Sequence, residues 1–536
     1  GSRVVARTPE PSTGSHLLLQ PETMTESLPG ALAPGPLPAA GDMMLRLTGE
    51  ISTKGRRTRS RFQKKLVENL RDGVESSGAA CRMRAEWSRL YLRANQEVDE
   101  PLARVFGIST FSALEAECAA DLSQIVDVGL RTFGQRVKGK SFAVRARRSG
   151  THPFSSEDVM RQLGAALGED ARVDLSHPDV EVFVEVRDER AVFYGSKQAG
   201  AGGLPLGVEG RAVCLLSGGF DSAVAAWMML RRGVALDYVF CNLGGDAYQR
   251  MVLEVAAVLS DRWSYGTRPT LFSLDFDPVV TELRRAFRPA FQQIALKREM
   301  YRAAEHVAFR LGADAIVTGE AVGQVSSQTL ANLRAIDDAS SLPVLRPLVG
   351  MDKEEIITRS RHIGTYEISA KVREYCSIST GRPATAASAL AVLHEEEGLD
   401  GGVLEASLAS GKLFDLRGMD MARVAGESVF LDRIPEGAIV VDTRVPESFR
   451  NWHWKGALHR EYVDLLSDYA TLSRDSTYVF YCEFGLKSAR VAELMQRAGY
   501  EAYSFLGGVK GLRGLGSRQR DAAVAAAVST PGADVD

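Results

Sequence analysis

Two short strings bring together the residue types that chemistry needs. The first is SGGFDS, Ser217 to Ser222, between the apolar run Ala212 to Leu216 and the helix-like stretch Ala223 to Gly233. A strand, a glycine turn and a helix leave the first helical N–H groups unpaired at the positive end of the helix dipole, so the turn suits an anion, phosphate above all. Gly218 and Gly219 let the backbone approach an oxyanion, Ser217 and Ser222 offer hydroxyls, and Asp221 offers a carboxylate able to hold Mg²⁺ or orient a donor. The same string could serve as a plain strand-to-helix turn capped by Asp or Ser. The second string is STYVFYCEFGLKSAR, an apolar strand, then Cys482, a short loop, and a helix expected to start near Ser488. Amides arrayed around such a loop favour a thiolate and can hold the charge of a persulfide, although a buried cysteine closing a strand would read the same way. Glu483 and a single cation, Lys487, occupy the loop, so stabilisation of a negative sulfur is expected to rest on amides more than on side-chain charge.

Of the six cysteines, Cys376 in REYCSIS is the other one in a polar, loop-like setting, while Cys81, Cys118, Cys214 and Cys241 fall in apolar or helical contexts. None forms a C-x-x-C pair, so no zinc or iron–sulfur ligand set is expected. Lys353 stands at the start of an expected helix, a place the dipole disfavours for a cation unless a phosphate is near.

These residues need elements to hold them. Strand and helix patterns alternate from about 207 to 395, as in a doubly wound parallel sheet, whose ligands sit at the carboxyl ends of the strands. One strand ends in Phe240 and Cys241, and another runs into a glycine turn at Gly319 and a polar helix entry. The length of 536 residues implies about three or four domains. The formal net charge of −3 excludes a global basic field, so contact with nucleic acid must come from local clusters. One cluster runs from Lys54 to Lys65, on a loop and the start of an amphipathic helix that carries Phe62, Leu66 and Leu70. The other comprises Arg136, Lys138, Lys140, Arg145, Arg147 and Arg148. Within it GQRVKGKS, Gly134 to Ser141, imitates a nucleotide-binding loop, but a helix pattern precedes it and a strand pattern follows, the reverse of what that loop requires. No run approaches the ~18 to 20 apolar residues of a membrane span, and no signal-peptide pattern opens the chain, so a soluble cytoplasmic protein is expected.

SGGFDS resembles the loop of the PP-loop ATP pyrophosphatases, and K-G-K-S-F-x-V-R-x-R-R-x-G-x-H-x-F-S-S resembles the THUMP domain of tRNA-modifying enzymes. Together with FCNLGG, ALKREM, VTGEAVGQVSSQTLANLR and EYC, and a Cys482 loop like that of rhodanese, they resemble the tRNA 4-thiouridine synthetase (tRNA sulfurtransferase) family. The resemblance implies a multidomain α/β and α+β chain. Its expected spans are a disordered extension (1–43), a ferredoxin-like domain (44–92), THUMP (93–198), a PP-loop adenylation domain (207–395), a linker (396–425), a rhodanese domain (426–518) and a disordered tail (519–536). It implies nucleotide contacts at Leu215, Leu216, Phe240, Cys241, Lys297, Gly319 and Gln328, substrate activation by Asp221 and Lys353, and a grip on tRNA by Lys138, Lys140, Arg145, Arg147 and Arg148. It further implies ATP and Mg²⁺, a Cys482 persulfide loaded by a cysteine desulfurase, and a Cys376–Cys482 disulfide formed after transfer and reopened by a thiol reductant. The target would be the uridine at nucleotide 8 of tRNA. Two other uses remain open at this point: a carrier of sulfur to a thiamine-pathway sulfur-carrier protein for thiazole synthesis, or a protein that binds tRNA without chemistry.

Overall fold

The computed structural model describes residues 42–372, 383–420 and 429–515. Cys376 and the expected extension up to residue 41 lie outside these, as do all residues from 516 onward.

Four sheets succeed one another. The first is antiparallel in the order β10-β4-β1-β3-β2, built from β1 (Met43–Leu47), β2 (Cys81–Ala85), β3 (Arg89–Ala94), β4 (Ile108–Ala113) and the late β10 (Gln198–Ala199). Helix α1 (Arg56–Ser76) repeats apolar residues every four positions, so Phe62, Leu66, Leu70 and Val74 form one stripe, fully buried against this sheet's core. The expected division at 92/93 falls inside β3, and the sheet continues to β4 because Ile108 and Phe111 complete its core. Likewise Met43, expected in the extension, is paired in β1 with Leu92 and Ala113.

The second sheet, β5-β9-β8-β6-β7, uses β5 (Ala116–Ala119), β6 (Ser141–Ser149), β7 (Arg172–Val173), β8 (Val180–Arg187) and β9 (Arg190–Tyr194). Helices α2 (Leu122–Val137) and α3 (Ser156–Leu167) bury Ile125, Phe133, Val159 and Leu163 in its core. GQRVKGKS is thus split between the end of α2 and the first residue of β6. An ion cluster ties the first two sheets together: Glu185 on β8, 3% exposed, meets Arg89 at 2.9 Å, Arg46 at 3.8 Å and Arg187 at 2.5 Å. Around it Met44 and Tyr91 of the first sheet pack with Phe183 and Tyr194 of the second.

The third sheet, β15-β14-β11-β12-β13-β16, holds β11 (Arg211–Leu215), β12 (Ala235–Asn242), β13 (Thr270–Asp275), β14 (Ala315–Val317), β15 (Val344–Leu345) and β16 (Lys412–Asp415). All pairs are parallel except β13 with β16. Successive residues feed opposite cores, Cys214 and Tyr238 on one face and Val213 and Val239 on the other, because helices cover both. The strand order reverses at β11, which places the switch-point crevice at the carboxyl ends of β11, β12 and β14. The span expected as a linker carries the helix Gly402–Ala409 and β16, since Leu404 and Leu416 are buried in the two cores.

The fourth sheet is wholly parallel, β17-β21-β20-β18-β19, from β17 (Phe430–Leu431), β18 (Ile439–Asp442), β19 (Leu458–His459), β20 (Tyr478–Tyr481) and β21 (Ala502–Phe505). Among the described residues no helix is long and apolar enough to cross a membrane.

Candidate active site

Beyond Leu215 the chain leaves β11, turns, and enters α4 (Phe220–Arg231). Gly218 has φ +77°, the left-handed region that suits glycine, and no side chain caps the helix at Gly219. Buried Ser222 locks the turn: its Oγ accepts from the Ser217 N–H at 3.1 Å and donates to the Gly219 carbonyl at 3.3 Å, while the Tyr248 hydroxyl donates to the Ser217 carbonyl at 2.8 Å. Gly319, just past β14, lies so close that a Cβ there would stand 2.6 Å from the backbone of Asp221 and Ser222. The end of β14 therefore meets the first turn of α4 backbone to backbone.

Above this turn opens a cavity of about 640 Å³. Leu215, Leu216, Ser217, Gly219, Asp221 and Ser222 line it from β11 and α4, and Phe240 and Cys241 from β12. Lys297 enters from the helix α7 (Pro289–Leu311), Gly319 and Gln328 from the segment after β14, and Lys353 from the first residue of α8 (Lys353–Ile363). Helices α5 (Gly245–Trp263) and α6 (Asp277–Ala286) follow β12 and β13 on the same edge. Of the expected nucleotide and activation residues only Gly218 is off the wall, one step behind it in the turn.

Charge is concentrated at two points. Lys353 Nζ lies 2.8 and 3.0 Å from the two oxygens of Asp221, and Gln324 Nε2 donates to Asp221 at 3.0 Å. An Asp352–Glu355 capping box offsets the dipole penalty of placing a lysine at the start of α8. Deeper, Glu320 is 3% exposed and accepts from Lys297 at 3.1 Å, Tyr301 at 2.5 Å and Arg346 at 3.0 Å. Burial pushes its carboxyl upward, but Lys297, Tyr301 and Arg346 more than offset this and hold it at about 2. Glu320 was not foreseen, because its partners lie about twenty or more residues away in sequence, on α7 and beyond β15.

A depressed carboxyl adds stability above its ordinary value of 4.5, and that stability is lost as pH falls toward about 2. Glu320→Gln therefore lowers the melting temperature at pH 7, and its deficit against the wild type narrows below about pH 4.5, as thermal unfolding across pH will read.

The cavity suits a nucleotide. It pairs a glycine turn with cations, and Gln328 Oε1 is buried with no hydrogen-bond partner among the described residues, an acceptor for a donor such as a base amine. Among the described residues no group of three or more His, Cys, Asp or Glu could hold a metal. With Glu320 committed to Lys297, Asp221 is the carboxylate on the wall that would hold a Mg²⁺.

Cys482 follows β20 and is 6% exposed. Its Sγ accepts from the Gly485 N–H at 3.2 Å and lies 3.5 Å from the Ser488 hydroxyl, which is held by Ser504 at 2.9 Å. Gly485, φ +94°, is the N-cap of α9 (Leu486–Arg497). Lys487 is joined at the loop by a cation from another segment. Pairing of Asp442 with Tyr481 brings β18 alongside β20, so Arg444 reaches Glu483 at 3.3 Å while anchored on Asp442 at 2.7 Å. Lys487 instead lies over the Tyr462 ring, 5.4 Å from its centroid.

The expected RNA cations do not form one group. Arg145 and Arg147 share a face of β6 and line a hollow of about 490 Å³ with Phe183, Tyr194 and Lys197. Arg148 points the other way and donates to the Gly150 carbonyl at 2.8 Å, while Lys138 and Lys140 precede the far end of β6, Lys138 pairing with Asp170 at 3.4 Å. Lys197, outside the basic run and so missed in the sequence, sits 3.8 Å from the centroid of the Phe183 ring.

Family models match in the same order as the sheets: a ThiI ferredoxin-like domain over 43–112, a THUMP domain over 119–194, the thiamine biosynthesis protein ThiI over 207–400, and a rhodanese-like domain over 428–514. The chain is 39% identical to a tRNA sulfurtransferase of Pyrobaculum aerophilum, covering 86% of this chain and 96% of that one. It is 34% identical to one from Proteus mirabilis, covering 85% and 98%. A solved 4-thiouridine synthetase in complex with RNA and ATP superposes with a TM-score of 0.62 at 30% identity, covering 70% of this chain and 98% of that one.

Proposed function

The chain belongs to the tRNA sulfurtransferase family, and from that premise we propose that it converts a tRNA uridine, at nucleotide 8, to 4-thiouridine, consuming ATP and a persulfide sulfur. The observation that carries this is the meeting of Ser217, Gly219, Asp221, Ser222, Lys297, Gln328 and Lys353 on one cavity, in a chain with a second strand-end loop built around Cys482. Mass spectrometry of tRNA nucleosides from cells with and without the gene tests it: 4-thiouridine disappears without the gene, and its persistence would sink the proposal.

The oxygen at C4 of uridine leaves poorly, so it is first adenylated: the oxygen attacks the α-phosphate of ATP and pyrophosphate departs. The glycine turn and the helix start hold the phosphates, and Lys353, passing from Asp221 to the phosphate chain, offsets their charge. Asp221 would hold a Mg²⁺, which would supply further charge neutralisation. A cysteine desulfurase loads Cys482 as a persulfide, whose outer sulfur attacks C4. The C4–O bond breaks and AMP leaves. The Cys376 thiolate then attacks the inner sulfur, breaking the S–S bond, giving the C4 thione and a Cys376–Cys482 disulfide, which takes two electrons from a cellular thiol. A second output, sulfur for the thiamine thiazole through a sulfur-carrier protein, is favoured by one observation: every hydrogen-bond donor named at Cys482 belongs to the fourth sheet unit, so the thiol site is assembled without the cavity.

For the RNA grip, we place the weight on Arg145, Arg147 and Lys197, with Lys138, Lys140 and Arg148 as outlying phosphate contacts. Arg147→Glu combined with Lys197→Glu weakens tRNA binding and flattens the slope of log affinity against log salt by about two contacts' worth. Titrations at several salt concentrations check this, and an unchanged slope moves the grip elsewhere.

A further inference from the structure

Helix α9, which starts four residues after Cys482, is also the surface by which the fourth unit meets the third. Helix α5 begins at Gly245 without a capping side chain of its own. Glu493 of α9 supplies the cap across 247 positions of sequence, accepting from the Asp246 N–H at 2.9 Å and from the Ala247 N–H at 2.7 Å. Arg490 pairs with Asp277, the first residue of α6, and Arg497 pairs with Asp246 at 2.9 Å. The fit is close. A Cβ on Gly245 would stand 2.2 Å from Glu493 Oε2, and Ala247 is packed into the core of the fourth unit with Val441 and Ala489. Glu493 and Arg490 are 7% and 9% exposed. Burying such charges is costly unless each has a partner, and here the partners come from the other unit.

The place of this contact gives it a use. Helix α5 follows β12, whose Phe240 and Cys241 wall the cavity, and α6 follows β13, so the contact lies on the carboxyl edge of the third sheet, the edge that carries SGGFDS. We propose that Arg490, Glu493 and Arg497 are positioning residues for sulfur transfer: they hold α9, and with it the Cys482 loop, on the cavity side of the third sheet. The thiol is then kept at high effective concentration over the activated uridine instead of being left to a tether. This rests on the reading that Cys482 carries the sulfur.

The test uses the full-length chain, loaded with labelled persulfide sulfur by a cysteine desulfurase and cysteine, then given tRNA and ATP in a single turnover. Arg490→Asp slows transfer by about tenfold or more, and the exchanged pair Arg490→Asp with Asp277→Arg restores it to within about threefold. In both, pyrophosphate release and sulfur loading at Cys482 stay at wild-type levels. Hydrogen exchange at the Asp246 and Ala247 amides accelerates in Arg490→Asp and slows again in the exchanged pair. Transfer at the wild-type rate in Arg490→Asp overturns the proposal, as does a loss that the exchanged pair does not recover. A wild-type chain that loads no sulfur on Cys482 fails one step earlier and overturns the underlying reading together with this one.

Discussion

Cys482→Ser abolishes thiolation of tRNA and leaves ATP-dependent, tRNA-dependent release of pyrophosphate at the wild-type rate. Serine is close in size and can accept the same Gly485 N–H, so the loop, α9 and its contact with α5 stay as they are. What is lost is the sulfur that forms a persulfide. Because the Cys482 site and the cavity are built from different sheets, the two halves of the reaction separate in this one variant. Two assays on the same sample decide it: labelled sulfur reaching tRNA, and pyrophosphate released. Thiolated tRNA formed at the normal rate would move the sulfur to another residue.

Asp221→Ala and Lys353→Ala stop the reaction at its first half, each lowering pyrophosphate release by about 10²- to 10³-fold, the scale of removing one preorganised electrostatic partner. Stability separates this from a structural role. The Lys353 side chain is 45% exposed in its pair with Asp221, and a pair of that exposure is worth about 0–1 kcal/mol, so the melting temperature hardly moves. A large loss of activity in a chain that melts normally means that the pair acts on substrate. Asp221→Ala still accepts sulfur on Cys482 and still supports thiazole formation, if the thiol site works alone. Pyrophosphate release surviving at the wild-type rate would remove Asp221 from the mechanism.

How far the sequence reached depended on how contiguous each feature is. SGGFDS could be read because six neighbouring residues make a whole turn, and Phe240, Cys241 and Gly319 followed from their places at strand ends. The parallel third sheet was legible because strands covered on both faces are apolar without alternation. Glu320 was not, since Lys297 and Tyr301 reach it from α7 and Arg346 from beyond β15. Arg444 reaches Glu483 only because β18 lies beside β20, a pairing that no local string announces. The basic run on β6 suggested one patch, and the alternation of a strand divided it. Nothing local in Glu493 announces that it caps a helix in another domain.

The buried carboxylate of Glu185 bears on how the chain can be taken apart. It sits on the second sheet, while Arg46 and Arg89 come from the first. A chain cut between β4 and β5 would leave that carboxylate facing Arg187 alone and bare the Met44, Tyr91, Phe183 and Tyr194 surfaces to water. Stripping partners from a buried charge costs about 3–5 kcal/mol, a large part of the stability of a small domain. Two sheets that look like separate modules are therefore to be excised as a single piece.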